Sequence, residues 1–400
     1  MKILLSAYSC EPNAGSEAGA GYSILRAAAE LAECWVITRA NNVELLSRAL
    51  ALDPPSQPVH IVPLDVSERA LRLKRRFGAV RPYYALWQRT VADRGIELDE
   101  EFGRFDVVHH ATMSAFWMPI GVTRLDRPLV IGPISGGTFT PLQLWPMLGR
   151  RRMMTDSIRY VNAHIAARLT RRTLHRAKVV IAQNWQMESF AARHLEVEGR
   201  LLVQSHASNP SVSNVAKVES RKPVVLFVGR LVAWKGILLA LEAFRKVGVP
   251  EARLVFVGDG PDRALLERRI DDFGYSSRVE ILGSVPRPQV LKMMREASCL
   301  LFPSFHDSAG FVVSEALALG LPVVCLDQGG PAWLVDHWSR VPSVAVQPST
   351  LDETISSLAM SVRRFLLEPV PIPREIAESD QRLDVTLREA YTLAAEDSAS

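Results

Sequence analysis

A strand–helix–strand pattern at residues 297–326 limits the possible folds of this chain more than any other feature. Residues 297–302 and 321–326 are two short apolar runs, typical of strands that are buried on both faces of a parallel sheet. The residues between them predict a helix that begins near residues 308–310 and ends at Gly320, just before Pro322. The pattern therefore predicts an α/β fold, with a helix N-terminus suited to anions where the first strand ends.

Two carboxylates stand at this turn. Asp307 precedes the predicted helix, and Glu315 lies inside it, eight residues further on. Such a pair can hold two ends of one ligand. Each residue also has an ordinary interpretation, because Asp307 suits the cap of a helix and Glu315 suits a solvated helix face.

The residues around the two acids resemble a known family. Retaining glycosyltransferases of family 4, the group 1 glycosyltransferases, show the same order of Pro303-Ser304, an acid, Gly310-Phe311, Glu315-Ala316, Gly320 and Pro322-Val323-Val324. That family carries Glu at the first acidic position, where this chain has Asp307. The resemblance implies that Asp307 binds donor-sugar hydroxyls and Glu315 binds the nucleotide ribose. It also implies that the rest of the turn binds the donor: Ala309, Gly310 and Phe311.

A second turn matches the same family. Residues 224–228 read as a strand, and they lead into Gly229-Arg230, four further residues and Lys235-Gly236. In the family this Arg and Lys hold the donor diphosphate, and both side chains suit phosphate oxygens. The alternative is a pair of exposed charges beside a turn. The resemblance further places three glycines beside the nucleotide: Gly258, Gly260 and Gly283.

By the same resemblance, several features of the first half would belong to the acceptor side. Residues 9–21 form a Gly-bearing loop, and residues 105–110 read as a strand that ends in two histidines. Pleating sends adjacent side chains to opposite faces, so at most one histidine is expected to face a ligand. A flexible loop and structural histidines are the alternatives. The acceptor-side candidates are Gly15, Ser16, Gly19, His109, His110, Gly136 and Gly137, and the catalytic candidates are His110, Arg230, Lys235, Asp307 and Glu315.

Length and resemblance together predict the GT-B architecture, with two Rossmann-like domains facing across a cleft. The chain has 400 residues, more than one core usually serves. We expect an acceptor-side domain at 1–206, a polar linker at 207–223, a nucleotide-sugar-binding domain at 224–368, and a helical segment at 369–400 that crosses back to the first domain. The glycine spacing of the first loop is not a dinucleotide fingerprint, so no cofactor is expected.

The net charge is only +4, but basic residues cluster between Arg69 and Arg89 and between Arg150 and Lys178. Basic residues among aromatics suit an anionic membrane surface or nucleic acid, and a solvated helix face is the plain alternative. We expect no nucleic acid partner. The scattered cysteines and the lack of a signal-like or spanning apolar run predict a cytoplasmic protein, peripheral on the inner face of the membrane if the basic surface binds lipid.

The predicted function is transfer of a sugar from a nucleotide-diphosphate sugar to an acceptor hydroxyl with retention of anomeric configuration. The expected setting is bacterial polysaccharide or glycolipid assembly, with a lipid-linked acceptor sugar. The sequence contains no Asp-x-Asp and no run with metal-ligand spacing, so we expect no metal. Two alternatives stay open: a GT-B sugar-nucleotide epimerase, and a noncatalytic GT-B-like binding partner.

Overall fold

The structure, a computed structural model, describes residues 1–12, 14, 16–197, 199–207, 222–371 and 382–396. These residues cluster in two compact units. Unit 1 lies within Met1–Gly137, Asn162–Ser208 and Asp380–Ser400, and unit 2 lies within Thr138–Val161 and Asn209–Ser379. Most of the predicted linker at 207–223, and residues 372–381 of the predicted tail, lie outside the described residues.

Unit 1 is built on a seven-stranded sheet with the order β3-β2-β1-β4-β5-β6-β7. Its strands are β1 Lys2–Ser6, β2 Glu33–Thr38, β3 Val59–Pro63, β4 Val107–His110, β5 Leu129–Ile134, β6 Val179–Ala182 and β7 Leu201–Val203. The helices of this part of the chain are α1 Ser16–Leu31, α2 Val43–Leu52, α3 Glu68–Phe77, α4 Val80–Glu101, α5 Arg150–Leu174 and α6 Trp185–His194. All the strand pairs are parallel.

Unit 2 is built on a six-stranded sheet with the order β10-β9-β8-β11-β12-β13, again with parallel pairs. Its strands are β8 Val224–Val228, β9 Arg253–Val257, β10 Val279–Gly283, β11 Cys299–Phe302, β12 Val323–Leu326 and β13 Val344–Val346. Its further helices are α7 Ile237–Lys246, α8 Arg263–Asp272, α9 Arg287–Glu296, α10 Phe311–Ala318, α11 Gly329–Trp338 and α12 Leu351–Leu367. Two parallel α/β sheets confirm the predicted fold class.

The central helix forms where the sequence predicts it. Gly310 caps the N-terminus of α10 with a φ of 76°, a left-handed conformation that favours glycine. Gly320 has a φ of 69° just beyond the other end. The strands on either side, β11 and β12, are adjacent and fully buried. The turn from β11 into α10 therefore lies at the carboxyl edge of the sheet, where α/β proteins bind ligands.

The last described helix, α13 (Arg382–Glu396), belongs to unit 1. Its buried residues recur at helical spacing and join the core that α1 and the sheet form: Leu383, Leu387, Ala390, Tyr391 and Ala394. Tyr391 is completely buried, and its hydroxyl lies 2.8 Å from His109 Nδ1 on β4. The helix therefore completes the core of unit 1.

Residues 138–161 differ from the expected division of the chain. The sequence places them in the domain at 1–206, whereas the structure groups Thr138–Val161 with unit 2. Side-chain contacts explain the difference. Arg152 Nη2 donates to Asp262 Oδ1 at 2.6 Å, and Asp156 lies 3.6 Å from His306 Nε2. Neither contact is visible in local sequence patterns, because each joins residues more than 100 positions apart.

We predict that Tyr391→Phe lowers the free energy of unfolding by about 1–3 kcal/mol, because His109 Nδ1 loses its buried hydrogen-bond partner. Urea denaturation measures the change. Val385→Ala is the matched control on the same helix, since Val385 is 61% exposed and its truncation should stay within about 0.5 kcal/mol. Equal stability of Tyr391→Phe and the wild type would show that the hydroxyl does not stabilise unit 1.

Candidate active site

The turn after β8 places two cations at the carboxyl edge of the unit 2 sheet. Gly229 follows β8 with a φ of 155°, and Gly236 has a φ of 77° before α7. A Cβ on Gly236 would lie 2.0 Å from the carbonyl oxygen of Pro303, so only glycine fits. This close approach sets the turn that carries Arg230 and Lys235 against the turn that follows β11.

Lys235 and Asp307 form an ion pair between these two turns. Each side chain is 15% exposed. Burial by itself raises the pKa of Asp307. The charge and hydrogen bond of Lys235, together with the amides of Gly310 and Ala309, lower it by more, so the net shift of the pKa is downward. Both amides donate to Asp307 Oδ1, at 3.0 and 3.2 Å. The carboxylate therefore stays ionised and also organises the start of α10.

Arg230 differs from Lys235, because its side chain is exposed. Within the described part of the chain no acidic group forms an ion pair with it. Lys235 also lies over two aromatic rings, 4.7 Å from the centroid of Trp234 and 5.0 Å from that of Phe302. One cation of the turn is thus paired and held, while the other faces solvent.

Glu315 pairs with a residue that the sequence did not single out. Arg287 Nε, in the first turn of α9, donates to Glu315 Oε1 at 2.8 Å. The Glu315 side chain is 16% exposed, which argues against the solvated-face alternative. The arrangement presents a carboxylate and a guanidinium together, which suits a ligand with hydroxyl groups and an acceptor atom nearby.

The rings that precede the ion pair also contact each other. Trp234 stacks on His306 with centroids 4.7 Å apart and planes inclined by 16°. Each ring residue immediately precedes a member of the Lys235–Asp307 pair. Burial, together with the charge of Arg159, lowers the pKa of His306 to about 4, so its ring is neutral at physiological pH. The stack therefore fixes both turns without adding charge.

The candidate glycines of unit 2 are required by backbone packing. A Cβ on Gly258 would lie 2.0 Å from the carbonyl oxygen of Gly229, and one on Gly260 would lie 2.4 Å from that of Leu231. Gly283 has a φ of 72°. The turns after β8 and β9 therefore lie in direct backbone contact. The backbone of the β8 turn fills the space where side chains at positions 258 and 260 would lie.

The two histidines of β4 have different surroundings in unit 1. His109 Nε2–H donates to the carbonyl oxygen of Gly132 at 2.8 Å, and Nδ1 accepts from Tyr391. Both nitrogens of His109 are thus used inside the core. Burial lowers the pKa of His109 to about 4 and that of His110 to about 3, so both rings are neutral.

His110 keeps one ring nitrogen without a partner. Gln88 Nε2 donates to the Tyr84 hydroxyl at 2.8 Å, and that hydroxyl lies 3.3 Å from His110 Nε2. The hydroxyl can therefore give its own hydrogen to Nε2, which leaves the neutral ring protonated at Nδ1. This buried Nδ1–H has no hydrogen-bond partner in the structure.

Other buried polar atoms without partners lie at the ends of β1 and β4. They are Ser6 Oγ, the Tyr8 hydroxyl and Thr112 Oγ1. Ser6 is directly opposite His110 in the register of β1 and β4. His110 and Thr112 line a small pocket together with Met113, whose φ of 61° is uncommon for a residue with a side chain. Buried unsatisfied groups and backbone strain of this kind mark candidate ligand sites.

The remaining acceptor-side candidates lie in unit 1 or outside the described residues. A Cβ on Gly19 would lie 2.0 Å from the carbonyl oxygen of Ala14, while Gly136 and Gly137 pack against Trp117 and Phe190. Ser16 is the first residue of α1, and the structure describes its backbone only. Gly15 lies outside the described residues. The glycines with a position thus allow close packing of backbone or rings.

Sequence reasoning missed several polar residues that the structure brings to these sites. In unit 2 these are Arg287 and His306, and in unit 1 they are Tyr8, Arg39 and Asp65. One signal was available for the unit 1 residues, because each lies one or two positions after an apolar run that forms a strand, β1, β2 or β3. No comparable signal marked Arg287, whose partner is 28 residues away on another helix.

The chain was compared with known proteins. Residues 210–378 match the family model described as glycosyl transferases group 1. The 2-deoxystreptamine glucosyltransferase of Streptomyces kanamyceticus is 33% identical over 157 residues, which are 38% of this chain and 39% of that protein. The chain thus matches well under two thirds of the length of this curated relative. The match to the family model covers less than half of the chain.

Solved structures extend the likeness to both units. A glycosyltransferase from Rickettsia africae superposes with a TM-score of 0.56 at 13% identity, covering 98% of each chain. Anabaena Alr3699/HepE in complex with UDP gives a TM-score of 0.55 at 17% identity, covering 98% of this chain and all of that one. At these identities the likeness concerns the fold alone, and it confirms the GT-B class.

We predict that Lys235→Met lowers the free energy of unfolding by about 3–5 kcal/mol, because Asp307 is left as a buried, unpaired charge. The double variant Lys235→Met/Asp307→Asn should recover much of this loss. Without Lys235 the pKa of Asp307 rises, so the loss in the single variant should shrink as the pH falls through that pKa.

Lys246→Met is the control, since Lys246 pairs with Asp352, which is 84% exposed, and such surface pairs contribute about 0–1 kcal/mol. Urea denaturation of the four proteins at several pH values makes the comparison. Equal losses in the Lys235 and Lys246 variants would show that the Lys235–Asp307 pair is no more costly to break than a surface pair.

Proposed function

We propose that this chain, which contains a group 1 glycosyltransferase domain within a GT-B fold, transfers a sugar from a nucleotide-diphosphate sugar to an acceptor hydroxyl. We further propose that it does so as a family 4 enzyme, with retention of configuration at the anomeric carbon. The observation that carries the proposal is the buried Lys235–Asp307 pair, which lies beside Arg230 at the carboxyl edge of the unit 2 sheet.

The charges of this site suit departure of a nucleoside diphosphate. As the glycosidic bond to the donor breaks, negative charge grows on the leaving phosphate oxygens. Arg230 presents several N–H donors and Lys235 a compact charge, so both can stabilise that charge electrostatically. Because these cations come from the protein, we propose that transfer requires no metal ion.

The acids of the site suit the sugar parts of the donor. When a phosphate replaces Asp307 as the partner of Lys235, the Asp307 carboxylate can accept hydrogen bonds from sugar hydroxyls. Glu315, beside Arg287, can accept hydrogen bonds from the ribose hydroxyls. Gly229, Gly258 and Gly260 keep the turns around the nucleotide compact. These roles follow the family resemblance and agree with the paired, partly exposed positions of both carboxylates.

We assign the acceptor side to unit 1, at the carboxyl edge of its sheet. His110 contributes a neutral ring with a buried Nδ1–H, and Thr112 contributes a buried hydroxyl. Neither group has a hydrogen-bond partner among the described residues. Each buried polar group without a partner costs free energy, because it has lost its water and gained no hydrogen bond. One polar ligand that bonds to both groups would remove this cost. In this assignment His110 orients a substrate oxygen by donating a hydrogen bond.

We also propose that the acceptor is lipid-linked and that the chain works at the cytosolic face of an anionic membrane. No helix in the described part of the chain is long and apolar enough to span a membrane. Three aromatic residues of the basic segment between Arg69 and Arg89, Tyr83, Tyr84 and Trp87, are buried and cannot enter lipid. Exposed aliphatic and aromatic residues replace them on α3 and α5: Leu73, Phe77, Met154, Ile158, Val161, Ile165 and Leu169.

A screen of nucleotide-diphosphate sugars tests the donor assignment. A true donor at 100 times its dissociation constant should add about 2.7 kcal/mol of stability. It should then be transferred or slowly hydrolysed in the presence of a chelator, and the anomeric configuration of the product should match that of the donor by NMR. Stabilisation without turnover would favour a noncatalytic binding protein, and conversion of the donor to an epimer would favour an epimerase.

We predict that Glu315→Gln lowers kcat/KM for the donor about 10- to 100-fold, the effect of losing one charge-assisted contact. Steady-state assays with the donor found in the screen provide the measurement. Glu242→Gln is the matched control, because Glu242 pairs with Arg245 within α7, away from the carboxyl edge of the sheet. Wild-type kinetics in Glu315→Gln would remove Glu315 from the donor site.

We predict that the protein sediments with vesicles of anionic lipid and that high salt weakens this binding, since each basic residue near the surface adds about 1 kcal/mol. Ile165→Ser/Leu169→Ser should reduce binding by removing exposed apolar area from α5. Leu52→Ser is the control, because Leu52 is 87% exposed on α2, outside both basic segments. Equal pelleting with neutral and anionic vesicles would contradict the electrostatic part of the proposal.

A further inference from the structure

The carboxyl edge of the unit 1 sheet carries polar groups after four neighbouring strands. In sheet order, Asp65 follows β3, Arg39 follows β2, Tyr8 follows β1, and His110 ends β4. The edge groups therefore form a row. Carboxyl edges of parallel sheets bind ligands, and the nature of these groups indicates which ligand this edge fits.

Two cations meet over one aromatic ring in this row. The guanidinium carbon of Arg39 is 4.6 Å from the centroid of Tyr8, and Lys74 Nζ, from α3, is 5.3 Å from it. Lys74 is also 4.8 Å from the centroid of Tyr83. Arg39 Nε donates to the carbonyl oxygen of Tyr8 at 3.2 Å, which fixes the direction of the guanidinium.

Neither cation is neutralised by a direct partner. Among the described residues no carboxylate forms an ion pair with Arg39 or Lys74. Asp65, the nearest acid in the row, instead accepts a hydrogen bond from the Tyr83 hydroxyl at 2.9 Å. Burial, and then the charge of Arg39, lowers the pKa of Lys74, as expected for two like charges held close together.

The Tyr8 hydroxyl gives a second, independent sign of a missing ligand. Tyr8 is only 5% exposed, and its hydroxyl finds no hydrogen-bond partner among the residues that the structure describes. Burial raises the pKa of Tyr8, so the hydroxyl stays protonated and can donate. A buried, unsatisfied donor on a ring that two cations contact is costly to keep unless an anionic acceptor fills the position.

We infer that the acceptor carries a phosphoryl group, bound by Arg39, Lys74 and the Tyr8 hydroxyl at the carboxyl edge of the unit 1 sheet. A phosphate monoester carries a charge of about −1.5 to −2 at pH 7 and three acceptor oxygens, which match two cations and one hydroxyl donor. The inference deepens the proposed function and rests on it for the assignment of unit 1 to the acceptor. A soluble sugar phosphate and a lipid phosphate share this chemistry.

Binding of simple phosphates tests the inference without any donor sugar. Inorganic phosphate and glucose 6-phosphate should bind to the full chain by calorimetry at low salt, and glucose should not. Arg39→Gln and Lys74→Gln should each weaken binding at least about tenfold. Arg48→Gln, an exposed charge on α2 paired with Glu44, is the matched control and should bind like the wild type.

Tyr8→Phe separates the role of the hydroxyl from that of the ring. The ring still packs beneath Arg39 and Lys74, so phosphate affinity should fall while the melting temperature stays the same or rises, because an unsatisfied buried group is removed. Unchanged phosphate affinity in Tyr8→Phe, Arg39→Gln and Lys74→Gln overturns the inference. If Arg39→Gln does not fold, Arg39→Lys takes its place in the comparison.

Two further arms locate the phosphate and its source. All measurements are repeated in an Arg230→Gln background, where binding that persists cannot depend on the Arg230 guanidinium of the donor site. Vesicles of phosphatidic acid and of phosphatidylcholine then replace the soluble esters. Binding to phosphatidic acid that needs Arg39 and Lys74, without binding of soluble esters, assigns a lipid phosphate. Binding of neither source overturns the inference.

The outcomes distinguish this inference from the proposed function. If phosphate binds as expected but no nucleotide sugar is transferred or hydrolysed, the transferase proposal fails while the phosphate site stands. If a donor is used and no phosphate binds at Arg39 and Lys74, the transferase proposal stands and the acceptor bears no such group.

Discussion

The Lys235–Asp307 ion pair joins the turns after two neighbouring strands of unit 2, β8 and β11, and each of its side chains is only 15% exposed. The pair therefore holds the two turns together without a ligand. Under the proposed function, a donor phosphate would take the place of Asp307 beside Lys235, so that donor binding would exchange one ion pair for another. That exchange costs less than bringing an unpaired lysine out of water.

Asp307 carries out a second task at the same place, and its length matters for it. With one methylene group fewer than Glu, its carboxylate stays over the amides of Ala309 and Gly310. The same group thus holds the loop that leads into α10 and pairs with Lys235. Of the two interpretations that the sequence left open, capping of the helix does not apply, because the N-cap of α10 is Gly310, which has no side chain to cap it. The ligand-binding role of Asp307 stays a proposal.

The sequence predicted most of the framework of unit 2 because local patterns determine it. The apolar runs are short. The glycines at 229 and 236 form one local pattern, and the acids at 307 and 315 form another with the glycine at 310. Each pattern lies within about 20 residues. Pairings between distant segments were not predictable in this way: Arg287 with Glu315, Asp156 with His306, and Tyr391 with His109. The helical spacing in α5 was visible, but periodicity does not say which face is buried. The structure buries Ala163 and Ala167 there and exposes Ile158, Ile165 and Leu169.

The position of α13 has a consequence for how the chain is made. Synthesis proceeds from the N-terminus, so every strand of unit 1 leaves the ribosome long before residues 382–396. Until α13 arrives, the surface of α1 that it covers stays open, and His109 lacks its tyrosine partner. Unit 2 is completed almost as late, because its last described helix, α12, ends at Leu367, shortly before α13 begins at Arg382. The core of unit 1 therefore stays open until residues 382–396 have left the ribosome, although the last strand of its sheet, β7, ends at Val203.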